Sequence, residues 1–543
     1  MNTHSENTQI RLRCADWRFL LPAPPGGVFE HLVLLGADAG LAAGLLEAGL
    51  ARRVSRELPG ERSADAAVLL RGAPADVRAA AGCLVPGGVL YREVDRRLPG
   101  MRLATPAQTV RSLRRAGLAP AGLYWATPDF AACQRYLPLD VPGAVAWYLR
   151  TSFTAASPLR QLLGGGLRVL ARLRGALDPL VRCYAVVALA GAAAEVTPAL
   201  LAHPELPRES RRPGTRVLLL TGGADDTHRI IALPFAPGAT QPAAALKLAR
   251  LPEFNHDTVS EQALLGWLRA RLTPPLAGSV PRALSLYRHG PLVAGAESYL
   301  DGRSLSTIAG RWDVPLGRKI ADMERVAEWL VAFHRQARIE RRPWGREEIG
   351  RWVERPLADY ARLVGTTDAE QELFAAARAQ AEELLGAPFP LVWQHHNFGE
   401  WNVFRAGDAI NVIDWEHARA GLPLYDLLHF AIGWSYSVRG LRGEADQLRA
   451  FRELFCDPAP GEASVLAARG AIDRYLEQLG IDRRFLPLVL AYLSVEKAVS
   501  YAEARRASRP AEWDLRAGNR SAAYVGVLAS RARRLFAPDS VEA

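Results

Sequence analysis

Short apolar runs alternate with stretches of helical periodicity over the first third of the chain. Residues 31–36 and 66–70 are apolar runs of strand length, and residues 39–50 carry apolar side chains at helical spacing. A second helical stretch, 77–84, leads through a Pro-Gly-Gly turn into the apolar residues 89–91. Alternation of strands and helices is typical of a parallel sheet covered by helices. The pattern therefore predicts an α/β domain with a doubly wound sheet.

Residues 84–90 of this domain have the sequence LVPGGVL. They resemble the segment before a late sheet strand of the class I S-adenosylmethionine-dependent methyltransferases. The glycine-rich turn keeps its outer glycines, but Asp38 stands where the backbone must approach a ligand. No acidic residue ends the second predicted strand, because residues 52–56 read RRVSR. For residues 1–202 we expect a degenerate Rossmann-like scaffold, with an active methyltransferase as the alternative.

Residues 141–180 are rich in Leu, Gly and Arg and interrupt the strand pattern. Apolar and arginine positions recur at helix-like intervals, which is typical of a basic amphipathic helix that contacts a membrane surface or a partner protein. A helical insertion packed on the sheet gives the same pattern, and the triplet Gly164-Gly165-Gly166 weakens one continuous helix. We favour the packed insertion and keep the peripheral contact as the alternative.

A stretch that combines prolines with charge, 203–214, predicts a linker before a second domain at 215–543. The elements predicted at its start are strands at 216–220, 230–235 and 243–248 and a helix at 261–272. Lys247 lies on the third strand, and Glu261 begins the helix fourteen residues later. The chain contains only three lysines but many arginines, which indicates that the lysine at this position has a specific role.

The strongest candidate chemistry lies at residues 395–402, which read HHNFGEWN, and at Asp414 after a short apolar strand. Amide and carboxylate oxygens are ligands that Mg²⁺ prefers, so Asn402 and Asp414 form a candidate magnesium site. The histidine and the second asparagine have the spacing of the kinase loop His-x-Asp-x-x-x-x-Asn. Asn397 occupies the aspartate position of that loop.

These segments resemble the aminoglycoside phosphotransferase and choline kinase-like family. The resemblance rests on Trp401-Asn402, on residues 413–416 (IDWE) and on residues 421–427 (GLPLYDL), which follow one another in the family's order. It implies a bilobal, protein-kinase-like α+β fold with an N-lobe at 215–300 and a C-lobe at 301–543. It also implies ATP and Mg²⁺ as cofactors and, as phosphoryl acceptor, a hydroxyl group of a small molecule such as a sugar, a polymer precursor or a secondary metabolite.

The same resemblance assigns roles to individual residues. Lys247 contacts the nucleotide phosphates and Glu261 orients it, while Asn402 and Asp414 bind magnesium. The remaining implied roles concern adenine binding at the hinge by Glu297 and Tyr299, support of the catalytic loop by His395, and bracing of that loop by Asp426.

Asn397 leaves three explanations open. An amide has no basic lone pair at neutral pH, so Asn397 cannot accept the proton of an attacking hydroxyl. The chain is then a slow enzyme that relies on positioning, a pseudokinase that binds nucleotide and regulates or scaffolds a partner, or a protein with an engineered inactivating change. Glu400 and His396 are the candidate substitute bases. We favour a phosphotransferase.

Length, charge and cysteine content limit the number of domains, the kinds of partner and the kinds of metal site that this chain could have. At 543 residues the chain is too long for one hydrophobic core. The net charge is +10, but no dense basic run is interleaved with aromatics, so no nucleic-acid partner is expected. Five scattered cysteines indicate neither a disulfide framework nor a structural metal. The lack of a signal peptide or an uninterrupted apolar span predicts a cytoplasmic protein.

Overall fold

A computed structural model describes residues 12, 15–24, 27–71, 77–98, 101–102, 104–151, 164–167, 169–171, 175–191, 197–222, 229–457, 462–508 and 514–536. The chain divides into two compact units. The first comprises Met1–Gly266 and Pro281–Tyr299, and the second comprises Trp267–Val280 and Leu300–Ala543.

A twelve-stranded sheet organises the first unit, in the order β11-β12-β10-β9-β8-β6-β5-β7-β4-β3-β1-β2. Its strands are β1 Phe29–Leu35, β2 Ala51–Ser55, β3 Ala64–Leu69, β4 Leu84–Asp95, β5 Leu118–Thr127, β6 Arg135–Pro138, β7 Cys183–Ala190, β8 Arg216–Leu220, β9 Arg229–Phe235, β10 Ala245–Ala249, β11 Ala283–His289 and β12 Leu292–Glu297. The accompanying helices are α1 Ala39–Glu47, α2 Val77–Cys83, α3 Pro106–Arg115, α4 Pro142–Thr151 and α5 Asn255–Arg271, whose last turn belongs to the second unit.

The predicted parallel sheet is confirmed for four strands, since β1 pairs in parallel with β2 and β3, and β3 with β4. It is wrong for the rest, because β7 lies between β4 and β5 and is antiparallel to both. All but the last residue of β7 is buried. A continuously apolar sequence indicates that a strand is buried on both faces. It does not indicate whether the strand runs parallel or antiparallel to its neighbours.

The sheet continues through the region where the sequence predicts a domain boundary. Strand β6 pairs with β8, so Tyr136 lies opposite Leu219. One hydrophobic cluster accordingly contains Leu34 and Tyr91 together with Leu219 and Leu246. The division between the compact units therefore does not coincide with the predicted linker at 203–214. Prolines and charged residues indicate a segment on the surface, but they do not indicate whether the strands before and after that segment pair with each other.

The segment Asp16–Leu20 forms a short 3-10 helix that contacts both halves of this sheet. Trp17 stacks on Tyr91 with ring centroids 4.9 Å apart. The Arg250 guanidinium pairs with the Asp16 carboxylate at 2.8 Å, and both side chains are buried. A buried, hydrogen-bonded ion pair of this kind strongly penalises the loss of one partner.

Much of the predicted insertion at 141–180 lies outside the described residues, including 152–163, 168 and 172–174. Its described beginning is α4, whose Trp147 packs edge-on against Phe235 with ring centroids 5.8 Å apart. The helix predicted from Glu261 begins earlier, at Asn255. Its first turn carries Asn, His and Asp, polar residues that are typical of helix starts as well as of loops.

The second unit is mostly helical. Its helices are α6 Leu305–Ala309, α7 Leu316–Gln336, α8 Arg346–Ile349 with a following π-helical turn Gly350–Glu354, α9 Arg355–Leu363, α10 Asp368–Glu383, α11 Tyr425–Arg439, α12 Glu444–Phe455, α13 Ala463–Leu479, α14 Phe485–Ser508, α15 Arg520–Ala529 and α16 Ala532–Leu535. Its strands are β13 Arg303–Ser304, β14 Arg338–Pro343, β15 Pro388–Gln394, β16 Val403–Ala406, β17 Ala409–Val412 and β18 Arg419–Gly421. They form two three-stranded sheets, β13-β16-β17 and β14-β15-β18.

An aromatic core lies behind the candidate loop of this unit. Trp329 of α7 stacks on Phe398 at 5.8 Å, and Phe333 lies 5.2 Å from Trp415. Within the described ranges, one helical segment, Phe485–Arg506, is long and apolar enough to cross a membrane by length and composition. Its apolar window is 61% buried, which is the pattern of a core helix.

Candidate functional site

In the first unit, Lys247 is the centre of a buried charge cluster. Its Nζ lies 2.6 Å from Glu261 Oε1 and 3.3 Å from Glu297 Oε1. The other oxygen of Glu261 accepts a hydrogen bond from Arg229 at 2.6 Å. The structure thus brings Lys247 and Glu261 into contact, while their roles at a nucleotide stay a prediction. The sequence did not single out Arg229, which lies on the neighbouring strand β9.

Local packing explains why α5 comes close enough for this pair. Lys247 alternates along β10 with Leu246 and Leu248, which enter the hydrophobic core, so its side chain leaves the opposite face. Its cross-strand neighbour on β12 is Gly295. A Cβ there would lie 2.9 Å from side-chain atoms of both Thr258 and Gln262, so only glycine lets α5 pack this closely.

The two predicted adenine-side residues, Glu297 and Tyr299, have different surroundings. Glu297 is buried and faces Lys247. The Tyr299 hydroxyl accepts a hydrogen bond from Trp147 Nε1 at 2.8 Å, and the two rings lie 6.0 Å apart. The Tyr299 side chain therefore joins α4 to the end of this sheet. Its expected contact with adenine stays a prediction.

In the second unit, the loop after β15 is held by Asp426 at the start of α11. The two Asp426 oxygens accept hydrogen bonds from the backbone N–H groups of His395, at 2.7 Å, and His396, at 2.9 Å. The expected bracing by Asp426 is thereby confirmed. Burial raises the pKa of Asp426 to about 7, although the two N–H groups act in the opposite direction. His395 Nε2 lies 2.8 Å from the Ile413 carbonyl, which ties the loop to the residue before Asp414.

The β16–β17 hairpin, in which Val403 pairs with Val412, brings the backbones of the two candidate magnesium ligands together at its base. Asn402 Nδ2 donates to the Asn397 carbonyl at 3.0 Å, which directs its Oδ1 the other way. The Ile413 N–H donates to the Asn402 carbonyl at 3.1 Å, so Asp414 follows directly beside Asn402. His396 and Asp414 have positive φ angles of 67° and 70°. Non-glycine residues in this conformation cost energy and are concentrated at functional sites.

This donor set fits Mg²⁺ that is completed by phosphate oxygens. Over the described ranges, no group of three or more His, Cys, Asp or Glu side chains could hold a metal ion. Magnesium is usually bound through one or two carboxylates together with substrate phosphates, so it needs no preformed protein cage. One amide oxygen from Asn402 and one carboxylate from Asp414 meet that requirement.

A partly buried ion network on α14 supports the loop from behind. Lys497 Nζ donates to the His396 carbonyl at 3.1 Å. The neighbouring Glu496 accepts from the Tyr425 hydroxyl at 2.7 Å and lies 3.4 Å from His396 Nε2. Burial by itself would raise the pKa of Glu496, but hydrogen bonding and charge at His396, with Lys497, hold it well below its usual range. Sequence reasoning missed this network, although the rarity of lysine could have indicated Lys497.

The two candidate substitute bases are both engaged in packing. The His396 ring stacks on Tyr425 at 5.0 Å, its Nε2 lies 2.6 Å from Arg419, and burial lowers its pKa. Glu400 is buried and accepts from Ser437 Oγ at 3.0 Å. A Cβ at Gly433 would collide with the Glu400 carboxylate. Both side chains therefore serve to anchor the loop.

Residues 236–466 match the model of the phosphotransferase enzyme family. The matched segment contains Lys247, Glu261, the loop at 395–402 and Asp414. It does not include Glu496 and Lys497, or the first 235 residues, which carry nine of the twelve strands of the large sheet. No curated protein sequence matches the chain.

Several solved structures resemble this chain at low identity. A thermostable mutant of the aminoglycoside phosphotransferase APH(4)-Ia is 15% identical, covers 57% of this chain and 94% of its own, and has a TM-score of 0.35. A glucosamine kinase is 16% identical over 55% of this chain and 89% of its own, with a TM-score of 0.33. A choline/ethanolamine kinase family protein from Mesorhizobium loti is 13% identical over 58% and 90%, with a TM-score of 0.34. Similarities at this level establish neither a substrate nor a cofactor.

Proposed function

We propose that this chain transfers the γ-phosphoryl group of ATP to a hydroxyl group of a small molecule. The observation that carries the proposal is that one segment, which matches the phosphotransferase enzyme family, contains both the buried Lys247–Glu261 pair and the neighbouring Asn402 and Asp414 at the base of the β16–β17 hairpin. Phosphoryl transfer needs cations at the phosphates and a rigid frame around them. Both requirements are met by residues that the surrounding packing holds in place.

Each cluster has a defined task in this proposal. Lys247 contacts the phosphates of ATP, and Glu261 fixes the position of its ammonium group. Asn402 and Asp414 hold Mg²⁺, which supplies charge neutralisation at the phosphates. Asp426, Glu496 and Lys497 do not touch the substrate in this scheme; they fix the backbone of the loop that carries Asn397 and Asn402.

Asn397 sets the expected rate. Its amide orients a hydroxyl group by hydrogen bonding but does not remove the proton. A general base contributes about 10² to 10⁴ in rate, whereas positioning and electrostatic stabilisation account for most phosphoryl-transfer catalysis. We therefore expect a slow phosphotransferase. The same residue favours a second candidate function, a pseudokinase that binds nucleotide and regulates a partner.

For the N-terminal half we propose a scaffold role. Asp38, the residue that replaces the central glycine of the turn, caps α1 by accepting a hydrogen bond from Leu41 N at 2.7 Å. The N-terminus of α1 therefore already has its own anion, the Asp38 carboxylate, which disfavours a further anionic ligand group such as a phosphate or the carboxylate of S-adenosylmethionine. This argues against cofactor binding there, and S-adenosylmethionine is expected to cause no thermal shift.

The test is the melting temperature of the full chain with ATP, with and without Mg²⁺. We expect ATP to raise it only when Mg²⁺ is present, and we expect Asp414→Ala to remove the effect. Asp408→Ala is the matched control, because Asp408 is 78% exposed and makes only surface ion pairs. Mass analysis of a panel of hydroxylated acceptors then distinguishes transfer from binding alone. A melting temperature that ATP and Mg²⁺ leave unchanged would refute both candidate functions.

A further inference from the structure

Helix α4 covers the same face of the large sheet from which the Lys247 side chain extends. Ile231 of β9 lies directly opposite Lys247, so the two side chains leave the sheet on one face. Ile231 packs against a buried cluster that contains Trp147 of α4 together with Leu233 of β9. The helix and the Lys247 ammonium group therefore lie on one side of the sheet.

An apolar surface on this face connects α4 to Lys247. Its members pack against the buried cluster and are only partly buried themselves: Leu220, Ile231, Ala245 and Tyr299. Ala245 stands two residues before Lys247 on β10, on the same face of the strand. The base of a nucleotide gains from apolar and aromatic contact, and its phosphates need a nearby cation. The surface and the ammonium group together fit a nucleotide that lies with its base toward α4.

Trp147 fixes the part of this surface that Tyr299 forms. Its indole N–H donates to the Tyr299 hydroxyl at 2.8 Å, and the two rings meet edge-on with centroids 6.0 Å apart. Phe235 also packs edge-on against the indole, at 5.8 Å. Trp147 is 8% exposed, so it acts on a ligand through Tyr299 rather than by direct contact. The orientation of the Tyr299 ring thus depends on a residue of α4.

Close packing fixes α4 relative to strands β8 and β9. A Cβ at Gly143, in the first turn of the helix, would collide with the Ala239 carbonyl oxygen, so the helix backbone touches the chain just after β9. Asp140, just before the helix, pairs with Arg216 of β8 at 2.8 Å. A pocket wall that is already in place adds little conformational entropy cost when a ligand binds.

We propose that α4 forms one wall of the nucleobase pocket and that Trp147 is the positioning residue of Tyr299 in that wall. The inference rests on the proposed function, because ATP is the ligand. It goes further by giving the N-terminal half a part in nucleotide binding, since α4 precedes the segment 236–466 that matches the phosphotransferase enzyme family. Affinity for the base then depends on residues that lie outside the matched segment.

Calorimetric titration of the full chain with ATP and Mg²⁺ measures this contribution. Trp147→Phe keeps an aromatic ring against Phe235 but removes the N–H donor. We expect its Kd for ATP to rise about fivefold, which is the effect of one lost hydrogen bond. Trp125→Phe is the matched control, because Trp125 packs against the same cluster and its substitution leaves the bond between Trp147 and Tyr299 in place. We expect the control to bind ATP as tightly as the unmodified chain.

Tyr299→Phe and the double variant with Trp147→Phe show whether the effect passes through Tyr299. Both lack the hydroxyl acceptor, so the double variant should bind ATP no more weakly than Tyr299→Phe alone. Three results would overturn the inference: unchanged ATP binding in Trp147→Phe, equal weakening in Trp125→Phe, or additive losses in the double variant.

If Trp147→Phe fails to fold, Tyr299→Phe decides the question. A fivefold rise of its Kd for ATP supports the inference, and an unchanged Kd overturns it. An unmodified chain that does not bind ATP refutes the proposed function and this inference with it. Normal ATP binding that does not depend on Trp147 refutes only the role of α4.

Discussion

At the scale of single residues, Asp426 shows how burial and hydrogen bonding compete at the catalytic loop. Its carboxyl is 1% exposed and accepts two backbone hydrogen bonds from the loop. Those bonds favour the charged form, but removal from water disfavours it more strongly and raises the pKa to about 7. The carboxyl therefore changes its protonation state near neutral pH in the folded protein.

The sign of the resulting pH dependence follows from linkage. The folded chain binds the Asp426 proton up to about pH 7, whereas the unfolded chain releases it near the ordinary aspartate pKa of 3.8. The Asp426 contribution to folding is therefore fully present below pH 4 and is lost as the pH rises to 7. We expect the free energy of unfolding to fall by about 2–3 kcal/mol from this group between pH 5 and pH 8.

Chemical denaturation of the unmodified chain and of Asp426→Asn at both pH values measures the contribution of Asp426 to the free energy of unfolding. The asparagine variant should show a smaller decrease between pH 5 and pH 8, because its amide does not titrate. Equal decreases in the two proteins would show that Asp426 does not titrate in this range.

The sequence predicted contacts between residues that lie close together along the chain. It missed contacts between residues of distant segments. The family resemblance implied that Lys247 on a strand pairs with Glu261 on a helix, and the structure has that pair. Arg229 reaches the same carboxylate from the neighbouring strand, and Lys497 reaches His396 from 101 residues away. Neither contact leaves a local pattern in the sequence, because each depends on how separate elements pack.

At the scale of elements, the close approach of α5 to β12 fixes the position of Glu261. Gly295 provides the space, since a Cβ there would press on Thr258 and Gln262 at 2.9 Å. We expect Gly295→Ala to move α5 away from the sheet and to destabilise the fold by about 1–3 kcal/mol. The separation of Glu261 from Lys247 should also weaken ATP binding.

Thermal unfolding with and without ATP and Mg²⁺ checks this expectation. The matched control is Gly266→Ala on the exposed side of the same helix, where a Cβ meets no atom within 4 Å. That change replaces a helix-interior glycine and should be neutral or stabilising by up to about 1 kcal/mol. If both variants behave alike, the packing at Gly295 does not determine the position of Glu261.

At the scale of the molecule, the first unit joins two predicted domains through one sheet and one core. The pairing of β6 with β8 continues the sheet, and Gly143 of α4 packs against the Ala239 carbonyl so closely that a Cβ would collide with it. The sequence predicted most of these strands, but the order of strands in a sheet depends on backbone pairing that no residue pattern encodes. The proline-rich, charged composition of residues 203–214 was therefore compatible with a linker between two domains and equally with a loop within a single domain.

Gly143→Ala tests whether the two halves unfold together. We expect it to destabilise the first unit by about 2–4 kcal/mol, because backbone must move to admit the methyl group. Limited proteolysis during heating should show residues 29–190 and residues 216–297 becoming cleavable at the same lowered temperature. Gly82→Ala, where a Cβ meets nothing within 4 Å, is the control. A lowered temperature for only one of the two segments would indicate two independent domains.

The central claim, that this chain is a phosphotransferase despite Asn397, is tested most directly by one measurement. The rate of phosphoryl transfer from ATP with Mg²⁺ to an acceptor panel is compared between the unmodified chain and Asn397→Asp. The account predicts measurable transfer by the unmodified chain and an increase of about 10²-fold or more in the aspartate variant, because a general base is restored. Transfer by Asn397→Asp with none by the unmodified chain would contradict the claim and identify a pseudokinase.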